Sequence, residues 1–204
     1  MMNNCELKIL GKLMRNPIEA YSINQLAKEI KLAYPYVYAS ITKLEREKLI
    51  SVKKSGKSNL CQLKFDHPEK LALASMEMRD EFLSKHLPLN NLTKQLKEAL
   101  AEELYILLLF GSYAKGKATK QSDLDLFFVV NDEKAIEPFR KKVSLVISKL
   151  NYKVEFGIST LAWFYEMLSD KTTVGSEIFK TNVILHNAET YFHLVKKYDQ
   201  RKGY

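Results

Sequence analysis

The sequence predicts an α+β chain in three stretches: short helices with a β-hairpin, a helical connector, and an α/β unit. Three observations carry this. Only 7 Gly and 5 Pro occur in 204 residues, so long regular elements should dominate over loops. Helical apolar spacing runs through the first half, then gives way at Leu104 to unbroken apolar runs of strand length. Within the first half, Ser55-Gly-Lys-Ser-Asn59 separates two strand-like runs, which predicts a hairpin turning at Gly56.

The elements follow in order. Leu7, Ile9, Leu10, Leu13 and Met14 form one stripe over residues 5–15, stopped by Asn16-Pro17. Ser22 is an N-cap for a helix over 23–30, with Ile23, Leu26, Ala27 and Ile30 on one face. Pro35 suits the first turn of a third helix, anchored by Val37, Ile41 and Leu44. Ile50–Lys54 and Leu60–Phe65 are the hairpin strands. Residues 68–103 read as helix with breaks around Pro88 and Asn90-Asn91, a connector that also offers a homodimer surface. Beyond it come strands over 104–110 and 124–130, a helix over 135–150 and a strand over 152–158. A short helix over 161–168, a strand over 183–185 and a helix over 189–198 complete the chain. The expected domains are 1–66, a linker over 67–98, and 99–204.

Composition excludes several classes. Apolar residues make up 46% and charged residues 27%, which is globular rather than disordered. The longest apolar run, Leu104–Phe110, falls far short of the roughly 18–20 residues of a membrane span. No charged segment leads into an apolar stretch at the start, so no secretory signal is read. Cys5 and Cys61 cannot build a disulfide framework and lack C-x-x-C spacing. A cytoplasmic location follows as the expectation. Lys plus Arg is 32 against 24 Asp plus Glu, a net charge of +8. Five Lys and no acid lie between Lys48 and Lys64, and three Lys and no acid lie between Tyr113 and Ser122. Such a balance suits nucleic acid or nucleotide partners without requiring them.

The chemistry concentrates in Phe110-Gly-Ser-Tyr-Ala-Lys-Gly-Lys-Ala-Thr-Lys-Gln-Ser-Asp-Leu-Asp125. Asp123 and Asp125 open a strand, where residues i and i+2 share a face, roughly 6–7 Å apart at the backbone. Unpartnered, the pair repels by roughly 2 kcal/mol at an effective dielectric near 20. A divalent metal removes that cost, and two metals can clamp both ends of an in-line phosphoryl displacement. Gly111 lets the backbone approach a phosphate, and Ser112 offers a hydroxyl and an N–H. The same stretch nearly spells a P-loop, but Ala118 stands where the metal-binding hydroxyl belongs and a strand follows where a helix should run. No G-x-S-x-G elbow surrounds Ser112, and the four His show no H-E-x-x-H spacing.

This stretch resembles the active-site signature of polymerase-beta-like minimal nucleotidyltransferases. The Gly111-Ser112 pair, the Ala114-Lys115-Gly116 step and Ser122 before Asp123-Leu-Asp125 carry the resemblance over about residues 99–204. It implies a nucleotidyltransferase α/β domain with a mixed sheet, an NTP as substrate, and two Mg2+ ions. It also implies a third carboxylate on a neighbouring strand that holds metal and takes the proton from the acceptor hydroxyl. Glu155 fits that place, with Val154 and Phe156 facing the core; the family more often has Asp there. An exposed edge-strand carboxylate is the alternative for Glu155. The resemblance further implies that Gly111, Ser112, Lys115 and Ser122 bind nucleotide. Minimal members often act with a protein partner.

Residues 5–65 resemble a winged helix-turn-helix of transcriptional regulators. The resemblance implies that the third helix meets DNA or RNA through Tyr36, Ser40 and Lys43, expected to face outward. Lys53, Lys54 and Lys57 on the wing would contact phosphates. An ordinary solvated face on a protein-binding module is the alternative. For the whole chain, the competing reading is a DNA-binding regulator whose nucleotidyltransferase-like domain senses nucleotide or is inactive.

Overall fold

Capping chemistry starts the first two helices in the structure, a computed structural model that describes residues 2–15, 17, 19–119, 121–169 and 178–202. Asn3 accepts from the Glu6 N–H at 2.9 Å, and the Glu6 carboxylate accepts from the Asn3 N–H at 3.1 Å, opening α1 (Asn4–Met14). Each exchange satisfies an N–H that a helix start leaves unpaired. Ser22 and Gln25 form the same box for α2 (Ile23–Ile30), which ends with Lys31 in the left-handed region. Pro35 sits in the first turn of α3 (Tyr34–Arg46). Pro17 is buried, and Asn16, the other half of the expected stop signal, lies outside the described residues.

Three strands complete this region: β1 (Tyr21–Ser22), β2 (Ile50–Ser55) and β3 (Ser58–Leu63), ordered β1-β3-β2 and antiparallel. Gly56, at φ +57, turns the β2–β3 hairpin. Leu10, Leu13, Leu26, Val37, Ile41, Leu44 and Cys61 are buried at its centre. Helices α2 and α3 with the β2–β3 hairpin are the winged helix-turn-helix arrangement that the sequence predicts.

The expected connector resolves into α4 (Pro68–Ser84) and α5 (Leu87–Ala99). The interruption falls at Lys85-His86, ahead of the position the sequence suggests. Pro88 lies in the first turn of α5, where its missing N–H has no intrahelical acceptor to lose, and Asn90-Asn91 lie inside the helix. Two compact units emerge, residues 1–78 with 192–204, and residues 79–191.

The second unit is built on four strands: β4 (Tyr105–Phe110), β5 (Leu124–Val130), β6 (Val154–Thr160) and β7 (Val183–His186), in the order β6-β5-β4-β7. β4 is antiparallel to β5 and β7, and β5 is parallel to β6, so the sheet is mixed. Helices α6 (Gly111–Ala114), α7 (Glu133–Ile147), α8 (Leu161–Ser169) and α9 (Ala188–Lys202) complete the chain. One sheet face packs Leu107, Leu109, Leu126 and Phe128 with Leu92 and Leu96 of α5 and Phe139 and Val143 of α7. Truncating Phe128 to Ala would cost about 3–5 kcal/mol there. On the opposite face Phe127 meets Phe164 of α8, ring centroids 6.2 Å apart.

Boundaries moved where specific bonds fix them. Leu104 is 81% exposed and precedes the strand it was expected to open. Asp132 caps Ala135 N–H at 3.1 Å and starts α7 earlier than periodicity suggests. β6 begins at Val154, the partner of Leu124, while Tyr152 donates its hydroxyl to the Pro88 carbonyl at 3.2 Å. Among the described residues no helix is long and apolar enough to cross a membrane.

Candidate active site

β4 ends at Phe110, directly opposite Asp125 in the antiparallel register. The chain then turns at Gly111, φ +68, into the one-turn helix α6. A side chain at 111 has no room: a Cβ there would lie 1.9 Å from Asp125 Oδ2 and 2.7 Å from its Cγ. Glycine is thus required twice, by backbone conformation and by the close approach of a carboxylate. The Ser112 backbone N–H also lies near enough to Asp125 to favour its charged form. The Gly-Ser pair and the second aspartate are one piece of geometry.

Around it the loop is held by its own backbone. Lys115 N–H donates to the Gly111 carbonyl at 3.1 Å and Lys117 N–H to the Ser112 carbonyl at 2.9 Å. The Lys115 side chain is exposed. Ser122, expected to bind nucleotide, has its hydroxyl accepting the Thr119 N–H at 2.9 Å, and its own N–H donates to the Thr119 carbonyl at 3.1 Å. It closes the turn that feeds Asp123 into β5. Lys120, one of the three basic residues of this loop, lies outside the described residues.

The parallel register of β5 and β6 sets Asp125 beside Glu155. Asp123, expected to open the strand with Asp125, lies one residue ahead of β5 and is near enough to repel the Asp125 carboxylate. Val154 and Phe156 are partly buried against the core, and the Glu155 side chain is 60% exposed on the other face. A residue that sequence reasoning passed over completes the cluster: Lys153 Nζ lies 2.5 Å from Asp123 Oδ2 and 2.7 Å from Glu155 Oε1. Those two bonds push the Lys153 ammonium well above its ordinary pKa. The Asp125 carboxyl is also raised, first by burial, then by repulsion from Glu155 and Asp123; the Ser112 N–H and Lys153 oppose the shift.

Among the described residues no three His, Cys, Asp or Glu side chains are arranged to ligate an ion. The Lys153 ammonium bonds one oxygen each of Asp123 and Glu155, two of the three carboxylates. The donor set nevertheless fits a hard divalent cation. It is all carboxylate oxygen, and it already draws in a positive charge, the Lys153 ammonium.

In the first unit the predicted surface residues divide. Tyr36 is 71% exposed, and Lys53, Lys54 and Lys57 are exposed on the hairpin. Lys53 and Lys54 are successive residues of β2, so they point to opposite faces of the wing. Ser40, expected to face outward, is buried. Val37, Ser40, Ile41 and Leu44 make one helical stripe, and Ser40 lies inside it. Lys43 bridges to Glu6 at 2.8 Å, a carboxylate only 1% exposed, and so neutralises a buried charge instead of projecting freely. A polar recess of about 80 Å³ lies among Ser22, Asn24, Tyr34, Lys57 and Asn59.

No curated protein matches the chain. Among solved structures it is similar to MepR, a transcription regulator of the Staphylococcus aureus multidrug efflux pump MepA. That likeness is 22% identical over 48% of this chain and 79% of that one, with a TM-score of 0.35. It is also similar to TrmBL2, an archaeal chromatin protein, at 13% identity over 98% of this chain and 92% of that one, with a TM-score of 0.29. At such TM-scores neither likeness establishes a shared overall fold. The family model described as nucleotidyltransferase domain matches residues 90–182, the stretch that holds Gly111, Ser112, Asp123, Asp125, Lys153 and Glu155.

Proposed function

We propose that the chain is a cytoplasmic, metal-dependent nucleotidyltransferase that moves a nucleoside monophosphate from an NTP to an acceptor hydroxyl. The observation that carries this is the seating of Asp125 against Gly111 and Ser112, beside Glu155 and two residues from Asp123. A half-buried turn at Gly111-Ser112, opening beside convergent carboxylates, suits polyphosphate chemistry.

Asp123, Asp125 and Glu155 would hold two Mg2+ ions, which would neutralise charge on the phosphates and on the departing pyrophosphate. Gly111, Ser112 and Lys115 would orient the β- and γ-phosphates, with Ser122 fixing the entry to β5. The acceptor oxygen forms a bond to the α-phosphorus as the bridge to the β-phosphate breaks. Pyrophosphate carries away the electron pair, and Glu155 receives the hydroxyl proton. The front unit would bring DNA, RNA or a protein partner, using Tyr36, Lys53, Lys54 and Lys57. The Lys153 bridge favours a second reading, a regulator whose nucleotidyltransferase domain binds nucleotide without transferring it.

The test is incubation of the full chain with each α-32P NTP, Mg2+ and candidate acceptors, including the chain itself and total RNA. Label transfer with pyrophosphate release, lost in Asp125→Asn, is expected. Transfer at an undiminished rate by Asp125→Asn rejects the mechanism.

A further inference from the structure

We propose that Lys153 is a built-in counter-ion that holds the carboxylate cluster against divalent cations and sets the metal concentration at which the site loads. This rests on the metal-dependent reading above. The ammonium already sits among the carboxylates that would hold the metal: it lies 2.5 Å from one oxygen of Asp123 and 2.7 Å from one oxygen of Glu155. An ammonium and a metal ion held by the same carboxylates repel each other at such short range, so the two compete for the cluster.

What keeps Lys153 there is charge. Its side chain is 64% exposed, so it can swing into water without unpacking the core. A single ammonium balances only one of the three carboxylates of Asp123, Asp125 and Glu155, which the β5–β6 register brings together. A divalent ion brings twice the charge and binds several oxygens at once, so it displaces the lysine once concentrated enough. The polyphosphate of an NTP would give the displaced ammonium another anion, which couples metal entry to nucleotide entry. At low metal and without nucleotide, the site stays closed by its own side chain.

The test is titration of Mn2+ into the nucleotide-free full chain, followed by the electron paramagnetic resonance signal of the free ion. Wild type, Lys153→Met, Lys153→Arg and Asp125→Asn are compared. Lys153→Met should bind at least about tenfold more tightly than wild type, because a like charge beside the ion is gone. Lys153→Arg, which keeps the charge, should bind no more tightly than wild type, and Asp125→Asn should lose binding. Heat denaturation without metal gives a second readout: Lys153→Met should melt below wild type, and Mn2+ should erase the difference. Equal or weaker binding by Lys153→Met, with Asp125→Asn still defective, overturns the counter-ion role and leaves the nucleotidyltransferase reading standing. Equal tightening by Met and Arg overturns it as well. No Mn2+ binding by any variant at millimolar ion overturns both.

Discussion

Gly56 and Gly111 sit in nearly the same left-handed conformation, φ +57 and +68, and for different reasons. At the wing turn a Cβ on Gly56 would meet nothing within 4 Å. At the end of β4 a Cβ on Gly111 would strike the Asp125 carboxylate. The first glycine only lets a hairpin close; the second lets a functional group reach its place. The two units differ in the same way. The front unit carries exposed lysines on an open hairpin, and on the proposed function each would be replaceable. The rear unit holds a few carboxylate oxygens close together, and there the proposed chemistry would depend on each.

The largest effect should separate the two glycines. Gly111→Ala is expected to destabilise by about 2–4 kcal/mol, combining backbone strain with a clash. By displacing Asp125 it should also lower nucleotidyl transfer at least about 100-fold. Gly56→Ala should cost about 1 kcal/mol from backbone strain alone and leave transfer intact. Urea denaturation with a transfer assay checks both, and similar losses in the two variants would erase the distinction.

Next in size is the ion pair beneath α3. Lys43→Met leaves the buried Glu6 carboxylate with only its Asn3 bonds and should cost about 1–3 kcal/mol of front-unit stability. Lys53→Ala should cost almost none, since Lys53 is exposed on the wing. Their effects on nucleic-acid binding should be reversed. Each of Lys53→Ala, Lys54→Ala and Lys57→Ala should lower the salt dependence of binding by about one counter-ion, whereas folded Lys43→Met should retain it. Gel-shift titration over salt measures this.

A smaller effect is expected in the pH dependence of stability. The Asp125 carboxyl is raised above its ordinary value of 3.8 by burial and by its acidic neighbours. The fold therefore binds that proton more tightly than the unfolded chain does. The resulting stability is present below 3.8, is lost as pH rises through the raised value, and is absent above it. In metal-free buffer, Asp125→Asn should lose this decline while remaining folded. A denaturation series across weakly acidic pH would show it, and an unchanged decline in Asp125→Asn would assign it elsewhere.

Much of this was legible wherever neighbours in sequence decide the outcome. β5 spans Leu124–Val130, as its apolar run predicts, and Ser22 caps α2 through Gln25 within a single turn. The signal for Ser40 is also present in the sequence, since 37, 40, 41 and 44 form a complete helical stripe whose geometry outweighs the polarity of one small hydroxyl. The pairing of Lys153 with Glu155 was equally legible, since residues i and i+2 of a strand share a face, but its pairing with Asp123 was not. In Tyr152-Lys-Val-Glu155 it reads as an outward strand residue, and its partner Asp123 lies 30 positions away. Only the parallel register of β5 with β6 brings them together. The same applies to Lys43 and Glu6, 37 positions apart. Long-range charge pairing needs the topology before it can be seen.

The most direct test of the rear unit is calorimetric titration of ATP, GTP, CTP and UTP, each with Mg2+, into wild type and Asp125→Asn. The account predicts Mg2+-dependent binding of at least one triphosphate by wild type, and its loss in the variant. Equal binding by both proteins, or none by wild type at millimolar nucleotide, would contradict it.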